Sequence, residues 1–390
     1  MNGIYLDNAA TTATRPEVVE AMRPYYTEIY GNPSSLHTFG QRAKCALEGA
    51  RQTVADLLDA DPKEIYFTSG GTESNNLAIK GAAIAYRHRG NHLITSAIEH
   101  HAVLNVFEEL AQQDFEITVL PVDRHGVIDA EALKAAIRPS TLLISVMLAN
   151  NEIGTIQPVA EIARLAREHG ILIHTDAVQA VGKIPVSVSD LDVDFLSLTA
   201  HKFYGPKGIG VLYARHGRTL KPLLQGGHQE RILRPGTENI PGAVGLATAL
   251  RLAYQDLGAE SGRIGALRAR LENGIQSRLD QVTLNGHPQQ RVPNIANLSF
   301  AFVEGEALLL ALDTMGIAVS TASACSAGST EPSHVLTAIG VAPLLAEGAI
   351  RFSLGRTNTS EEIDYVIDSV AEAVTRLREL SPLGGARTAC

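Results

Sequence analysis

Apolar runs of strand length alternate with segments of helical spacing through the middle of the chain, and this pattern strongly restricts its fold. The apolar runs lie at 93–98, 117–120, 142–148 and 171–174. The helical segments between them lie from 102 onward, at 129–137 and at 158–169. Strands that alternate with helices form a mostly parallel sheet with helices on both faces. The sequence therefore predicts an α/β fold.

Lys202 lies between two further apolar runs, 195–198 and 209–213, that are typical of buried strands. Gly-Pro-Lys-Gly at 205–208 breaks the chain between them. Burial would lower the pKa of such an amine and leave it nucleophilic, which suits a Schiff base with an aldehyde cofactor. The alternative is a lysine at a strand end that extends its amine to water.

Asp176 follows closely on the apolar run 171–173, so it stands at or just past a strand end, where open α/β sheets bind ligands. It precedes Lys202 by 26 residues. Pyridoxal phosphate needs such a pair, because a carboxylate keeps the pyridine nitrogen protonated while a lysine holds the aldehyde. The pair favours a cofactor-binding role for Lys202.

The motifs around this pair resemble those of the cysteine desulfurases, which are pyridoxal phosphate enzymes of the class V aminotransferase superfamily. They are Asp-Ala-Val-Gln at 176–179 and Ala-His-Lys-Phe-Tyr-Gly-Pro-Lys-Gly at 200–208. The likeness runs from Tyr-Leu-Asp-Asn-Ala-Ala-Thr-Thr at 5–12 to Ile-Arg-Phe-Ser-Leu-Gly-Arg at 350–356. It implies the type I fold: a mostly parallel, mixed seven-stranded sheet flanked by helices, plus a smaller α+β domain.

A helical pattern from about 241 to 280 breaks at Gly258 and Gly262, where we expect the domain boundary. Residues 15–257 would form the large cofactor-binding domain. Residues 1–14 and 258–380 would form the small domain, and 381–390 a disordered tail.

A glycine-rich turn at 68–76, between the strand at 65–67 and a helix, forms a candidate anion site, although many such turns bind no ligand. By the resemblance, the cofactor phosphate is held by Gly71, Thr72, Thr199 and His201. The segment 226–239 resembles the loop that crosses into the partner subunit of a homodimer. The resemblance implies that its Thr237 reaches the partner's phosphate.

Other polar residues at strand ends take their roles from the same resemblance. A lone histidine there is more often structural, and two adjacent amides can simply form a turn. The resemblance places His100 on the pyridine ring, Asn151 beside the cofactor and Gln179 on its phenolic oxygen. It also implies that Arg351 binds the substrate carboxylate, with Arg356 as a possible second contact. The resemblance assigns no role to His101.

Cys325 lies in a run of small residues, 320–332, that cannot pack a core, so we predict a mobile loop. The resemblance makes Cys325 the nucleophile that forms a persulfide, and the long loop matches the NifS/IscS type. We interpret Cys45, in a predicted helix, as a packing residue and Cys390 as incidental.

Composition excludes several other classes of protein. The 390-residue chain is 45% apolar, enough for a large core, and its net charge of −9 argues against a nucleic-acid partner. Three cysteines fit a reducing compartment rather than a disulfide framework. With neither a signal segment nor a membrane-length apolar run, we predict a cytoplasmic protein without a membrane partner.

The predicted protein is a homodimeric cysteine desulfurase that depends on pyridoxal 5′-phosphate. It converts L-cysteine to L-alanine, with Lys202 moving the Cα proton, and passes sulfur from Cys325 to an acceptor or iron–sulfur scaffold protein. A selenocysteine lyase or a cysteine sulfinate desulfinase would share every cofactor residue. An aminotransferase of the same fold would not need Cys325, and a non-enzymatic sulfur carrier would bind no cofactor.

Overall fold

The computed structural model describes residues 3–321 and 333–380. Its strands, in chain order, are β1 (Ile4–Tyr5), β2 (Ile65–Thr68), β3 (His92–Ser96), β4 (Glu116–Leu120), β5 (Thr141–Ser145), β6 (Leu172–Asp176), β7 (Phe195–Thr199), β8 (Gly210–Ala214), β9 (Val282–Asn285), β10 (Ile295–Phe300), β11 (Ile317–Ala318), β12 (Ser320–Thr321) and β13 (Ala349–Ser353). The α-helices are α1 (Pro16–Met22), α2 (Pro24–Thr27), α3 (Thr38–Leu58), α4 (Gly71–Tyr86), α5 (His101–Ala111), α6 (Ala130–Ala136), α7 (Val159–Glu168), α8 (Val188–Leu191), α9 (Ile240–Gln255), α10 (Leu257–Arg278), α11 (Gly305–Thr314), α12 (His334–Ala338), α13 (Pro343–Glu347) and α14 (Ser360–Leu380).

The larger sheet has seven strands in the order β2-β8-β7-β6-β5-β3-β4. Strands β3 to β7 run parallel to their neighbours, whereas β8 lies antiparallel between β2 and β7. Every residue of β3, β5, β6, β7 and β8 is buried, which explains why apolar and exposed polar residues do not alternate along these strands. The predicted mixed, mostly parallel sheet is confirmed.

Helices cover both faces of this sheet. Adjacent residues of β7 show the division: Phe195 packs in one apolar cluster with Leu77 of α4, and Leu196 packs in another with Leu246 of α9. Side chains of a strand alternate between faces, so each strand supplies both layers. The parallel strands bring their carboxyl ends to one edge, and β6 pairs directly with β7 there.

The smaller sheet is antiparallel, in the order β12-β13-β10-β9, and packs with α10, α11 and α14. Its apolar cluster contains Leu271, Leu298 and Phe352, and Leu6 joins it from the other end of the chain. Strand β1 pairs with β11, which holds the N-terminal segment on this side. We propose to divide the chain between the two cores, with 15–257 around the larger sheet.

Two expectations about local structure are wrong. The helix break lies at Asp256, between α9 and α10, and not at Gly258 or Gly262. Both glycines lie within α10, because the packed apolar side of the helix outweighs their weak helix propensity. Ser320 and Thr321 are not loop residues either: they pair with β13, whose free edge supplies the hydrogen-bond partners.

Several sequence features lie at the surface or beyond the described ranges. Cys45 is exposed on α3, so its interpretation as a packing residue is wrong. Cys325, the remainder of its predicted loop and the predicted tail 381–390 fall outside the described residues. Within the described ranges, no helix is long and apolar enough to span a bilayer.

Candidate active site

A cavity of about 440 Å³ lies at the carboxyl edge of the large sheet, against β13 of the small sheet. Ten residues singled out from the sequence line it: Gly71, Thr72, His100, Asn151, Asp176, Gln179, Thr199, His201, Lys202 and Arg351. Thr237 is exposed and does not occur among the described lining residues. The cavity lies where open α/β sheets bind ligands.

Asp176 ends β6 with its carboxylate buried at the cavity wall. One oxygen, Oδ2, accepts from Asn75 Nδ2 at 2.7 Å, and Oδ1 accepts from the backbone N–H of Val178 at 2.9 Å. Both donors fix the direction of the carboxylate. Asn75 Oδ1 is buried and has no partner among the described residues.

Lys202 closes the 3-10 turn Ala200–Lys202 that follows β7. Its Nζ donates to the carbonyl oxygens of Ala9 and Ala10 at 2.6 and 2.7 Å. The N-terminal segment therefore crosses the site and holds the amine in the cavity. This geometry excludes the alternative of a side chain that extends away from the sheet into water.

His100 caps the N-terminus of α5, and its Nδ1 accepts from the backbone N–H of Ala102 at 3.0 Å. An accepting Nδ1 carries no proton, so the neutral ring has its hydrogen on Nε2. Burial lowers the pKa of His100; nearby Asp176 opposes this shift and Lys202 adds to it. His100 is thus a neutral, flat ring on the cavity wall.

The N-terminus of α4 forms the anion-binding end of the site. Here Gly71 lies so close to the turn after β6 that a Cβ on it would come within 2.7 Å of Val178 Cγ2. A hollow of about 370 Å³ adjoins it and is lined by Thr72, Thr199 and His201. Free N–H groups and the dipole of a 16-residue helix favour an anion at this point.

His201 faces the same hollow and hydrogen-bonds through Nδ1 with Thr11 Oγ1 at 3.1 Å. Burial, assisted by the charge of Lys202, lowers the pKa of His201 to about 4. The hydroxyl of Thr199 donates to the carbonyl oxygen of Ile209 at 3.0 Å. Both side chains are therefore held in place by their neighbours.

The two adjacent amides that followed β5 in the sequence have different partners. Asn150 makes the turn, since its Nδ2 donates to the carbonyl of Ile98 and its Oδ1 accepts from the backbone N–H of Glu152, both at 2.8 Å. Asn151 lines the cavity. Asn150 therefore makes the turn, and the place of Asn151 beside the cofactor stays a prediction.

Arg351 projects from β13 toward the cavity and is almost fully buried. Its Nη1 donates to the carbonyl of Asn151 at 3.0 Å, and its Nη2 pairs with Asp7 Oδ1 at 2.8 Å. Its Nε is buried and lacks a partner among the described residues. Arg356 lines a different cavity, of about 80 Å³.

Two buried carboxyl groups next to the site were missed. Glu99 receives hydrogen bonds on Oε1 from Ser96 and Met147, and burial raises its pKa to about 8. Burial likewise raises the pKa of Glu152, which Ser333 Oγ contacts, to about 7. Each adjoins a predicted residue, but nothing in sequence distinguishes a buried carboxyl from an exposed one.

Asn75 and Asp7 were also missed as site residues. Asn75 stands four residues after Gly71, on the same face of α4, so helical spacing offered a local signal. Asp7 meets Arg351 from 344 residues away, and no local pattern predicts that pairing. His101, which received no role, packs its ring 4.8 Å from that of His334.

The arrangement fits pyridoxal phosphate. A fixed carboxylate, a lysine amine, a neutral flat ring and a helix N-terminus surround one cavity, and Asn75 Oδ1 and Arg351 Nε are unpartnered among the described residues. These groups match the pyridine nitrogen, the aldehyde, the ring face and the phosphate of that cofactor. Within the described ranges, no three His, Cys, Asp or Glu side chains lie together so that they could hold a metal ion.

Comparisons with known proteins agree with this geometry. The family model of class-V aminotransferases matches residues 4–366. The cysteine desulfurase IscS of Methanosarcina thermophila is 53% identical over 97% of this chain and 94% of its own. A relative of the same name from Dictyoglomus turgidum is 52% identical over 97% and 96% of the two chains.

Solved structures give the same result. A NifS-like protein superposes with a TM-score of 0.90 at 40% identity and covers 96% of this chain and 100% of its own. The protein SspA, solved in complex with cysteine, superposes with a TM-score of 0.80 at 39% identity and covers 90% of this chain and 98% of its own. The predicted family is confirmed and its members use pyridoxal phosphate: the chain belongs to the class-V aminotransferase family, among the cysteine desulfurases.

Proposed function

We propose that the chain removes sulfur from L-cysteine, releasing L-alanine, and carries that sulfur as a persulfide on Cys325. The observation that carries the proposal is one cavity with Lys202 Nζ and the Asp176 carboxylate on its wall. The identity of 53% to a cysteine desulfurase supports the same reaction. When bound, pyridoxal phosphate supplies an aldehyde for amines and a ring that accepts electrons.

The residues of the large sheet hold that cofactor. Asp176 keeps a proton on the pyridine nitrogen, because its carboxylate is fixed by Asn75 and Val178. His100 and Asn151, on the cavity wall, would hold the ring of the cofactor. Gly71, Thr72, Thr199 and His201, at the N-terminus of α4, would hold its phosphate.

Two side chains hold and deprotonate the substrate. Arg351 binds the carboxylate of L-cysteine, for which its buried Nε is available among the described residues. Lys202 Nζ accepts the proton from the substrate Cα and returns one to the product carbon. Gln179, on the cavity wall, donates to the phenolic oxygen of the cofactor.

Cys325 performs the sulfur transfer. Its thiolate attacks the substrate sulfur, so that an S–S bond forms while the carbon–sulfur bond breaks. The electron pair of that bond stays with carbon, which takes a proton to give L-alanine. The outer sulfur remains on Cys325 as a persulfide and is later passed to an acceptor, such as a scaffold protein for iron–sulfur clusters.

Incubation of the purified protein with L-cysteine, with and without reductant, tests this proposal. Alanine should form, and sulfide should be released when reductant is present. Cys325→Ser should keep bound cofactor but release almost no alanine and carry no persulfide. Cys45→Ser, at an exposed position of α3, is the matched control and should behave like the parent. Alanine release by Cys325→Ser at the parent rate would contradict the proposed mechanism.

The active unit is proposed to be a cytoplasmic homodimer in which Thr237 reaches the partner's phosphate. Thr237 is exposed and is not among the described residues that line its own cavity, which is consistent with such a role. Mixing Lys202→Ala subunits with Thr237→Ala subunits should restore part of the activity in heterodimers. Full activity of Thr237→Ala alone would contradict the shared site.

A further inference from the structure

Lys183 lies behind the wall of the active site and contacts it through one residue. Its Nζ donates to Gln179 Oε1 at 2.5 Å. The other end of that amide, Nε2, donates to the carbonyl oxygen of Ala9 at 2.9 Å. Lys202 donates to the same carbonyl at 2.6 Å. A chain of hydrogen bonds thus runs from Lys183 through Gln179 and Ala9 to Lys202.

These bonds fix the orientation of the Gln179 amide. If the amide were turned over, Oε1 would face the Ala9 carbonyl, and two acceptors would meet without a hydrogen between them. In the observed orientation, Lys183 satisfies the buried oxygen. Of the two N–H bonds on Nε2, one is used by Ala9, and the other remains for a group bound in the cavity that Gln179 lines.

We propose that Lys183 is a positioning residue, which holds the Gln179 amide so that its N–H group points at the phenolic oxygen of the cofactor. This inference rests on the proposed function, since it takes pyridoxal phosphate as the group in the cavity. Lys183 itself does not line that cavity; it lines the smaller one behind, together with Lys202. It therefore acts through Gln179 and not by direct contact.

The surroundings of Lys183 suit this role. Burial lowers the pKa of its amine well below the usual value, and the charges of Lys202 and Arg351 act in the same direction. A lysine amine donates a hydrogen bond to Gln179 in either protonation state, so the contact does not depend on this shift.

The test compares Lys183→Met with Gln179→Ala and with the double variant, all as holoenzymes. Methionine keeps the length and apolar stem of lysine but cannot donate. We expect Lys183→Met to shift the visible absorption band of the bound cofactor in the same direction as Gln179→Ala. The release of cofactor on dilution should become about fivefold faster. The double variant should match Gln179→Ala alone, because Lys183 acts only through that residue.

Two further variants separate positioning from folding. Lys183→Arg retains a donor and should restore part of the parent spectrum. Lys80→Met removes a lysine that pairs with Glu109 away from the cavity, and should leave the band and the release rate unchanged. Melting temperatures of all variants show whether Lys183→Met merely weakens the fold.

Each outcome decides the proposal. A parent-like absorption band in Lys183→Met overturns the proposal. It is also overturned if the band shifts of Lys183→Met and Gln179→Ala add up in the double variant. If Gln179→Ala leaves the band unchanged, both the assignment of Gln179 and the role of Lys183 fail, while the proposed function stands. Purified parent protein that binds no pyridoxal phosphate would instead overturn the proposed function itself.

Discussion

The two sheets contribute to the cavity in different ways. The carboxyl edge of the large sheet supplies Asp176, His100 and Lys202, which lie at or after the ends of β6, β3 and β7 and are fixed by Asn75, Ala102 and Ala9. The small sheet supplies Ser320 and Arg351. Arg351 is fixed by Asn151 and Asp7, which lie 200 and 344 residues away in sequence.

The two sides of the cavity are therefore expected to bind different groups. The cofactor side starts from the carboxyl edge of one sheet, although the N-terminal segment also holds Lys202 and α4 supplies the Asn75 that holds Asp176. The side proposed to bind the substrate carboxylate depends on how the small sheet docks, because Arg351 reaches the cavity through contacts between the two cores. Substitutions on the first side should affect cofactor binding, and those on the second should affect the substrate.

The largest expected effect is that of Lys202→Ala on the cofactor side. Removal of the amine should lower turnover by about 10³-fold or more, because Lys202 is the group proposed to move the Cα proton. Borohydride should no longer attach the cofactor to the chain, which mass spectrometry of the treated protein would check. If attachment persists in this variant, the cofactor lysine lies elsewhere and the comparison fails.

Arg351→Lys should separate the two sides most clearly. A lysine keeps the charge but loses the planar fork, so the KM for L-cysteine should rise by about 10- to 100-fold. Cofactor affinity should stay within about threefold of the parent, because Arg351 does not contact the cofactor groups held by the large sheet. Steady-state kinetics and cofactor titration measure both quantities.

A matched control for that experiment is Arg270→Lys, which alters an exposed ion pair with Asp364 on the small-domain side. It should leave both quantities unchanged, since surface ion pairs contribute little. Equal losses of cofactor and substrate affinity in Arg351→Lys would show that the two sides are not separate.

Glu99→Gln tests the burial of charge beside the cofactor. The pKa of Glu99 is raised to about 8, so the folded protein retains this proton between about pH 5 and 8, whereas the unfolded chain releases it. Raising the pH through this window therefore favours unfolding. In the parent, the melting temperature should therefore fall by on the order of 5 °C between the two pH values. Glutamine mimics the protonated form and should abolish this fall.

Thermal melts of parent and variant across that range provide the measurement. Glu108→Gln changes an exposed carboxylate of α5 and should keep the slope of the parent. A parent-like slope in Glu99→Gln would mean that the buried carboxyl does not titrate in this range.

The smallest effect should come from Gly258→Ala in α10. A Cβ at this position would meet no atom within 4 Å, and the helix is continuous through it. Alanine should raise the free energy of unfolding by about 0.5–1 kcal/mol, because it restricts the unfolded chain, and leave activity unchanged. Denaturant melts would detect it; a loss of stability would show strain at the start of α10.

Much of the cofactor side was predictable because its signals are local. Apolar runs marked β6 and β7, and Asp176 and Lys202 were found at their ends. The motifs around them identified the family. The helix break expected at Gly258 and Gly262 lies instead at Asp256, because glycine is only a weak helix breaker when one side of the helix is packed. Neighbouring residues alone could not indicate that packing.

The sequence by itself determined the alternating α/β pattern, the strand-end position of Asp176 and Lys202, and the family, because these follow from periodicity and from contiguous motifs. Only the tertiary structure decided that Asn75 holds Asp176, that Lys183 orients Gln179, and that Asp7 pairs with Arg351. Apart from the Lys183 contact, these bonds join residues more than 100 positions apart. They exist because strand order and the docking of two cores bring the side chains together, and burial then makes each hydrogen bond costly to lose.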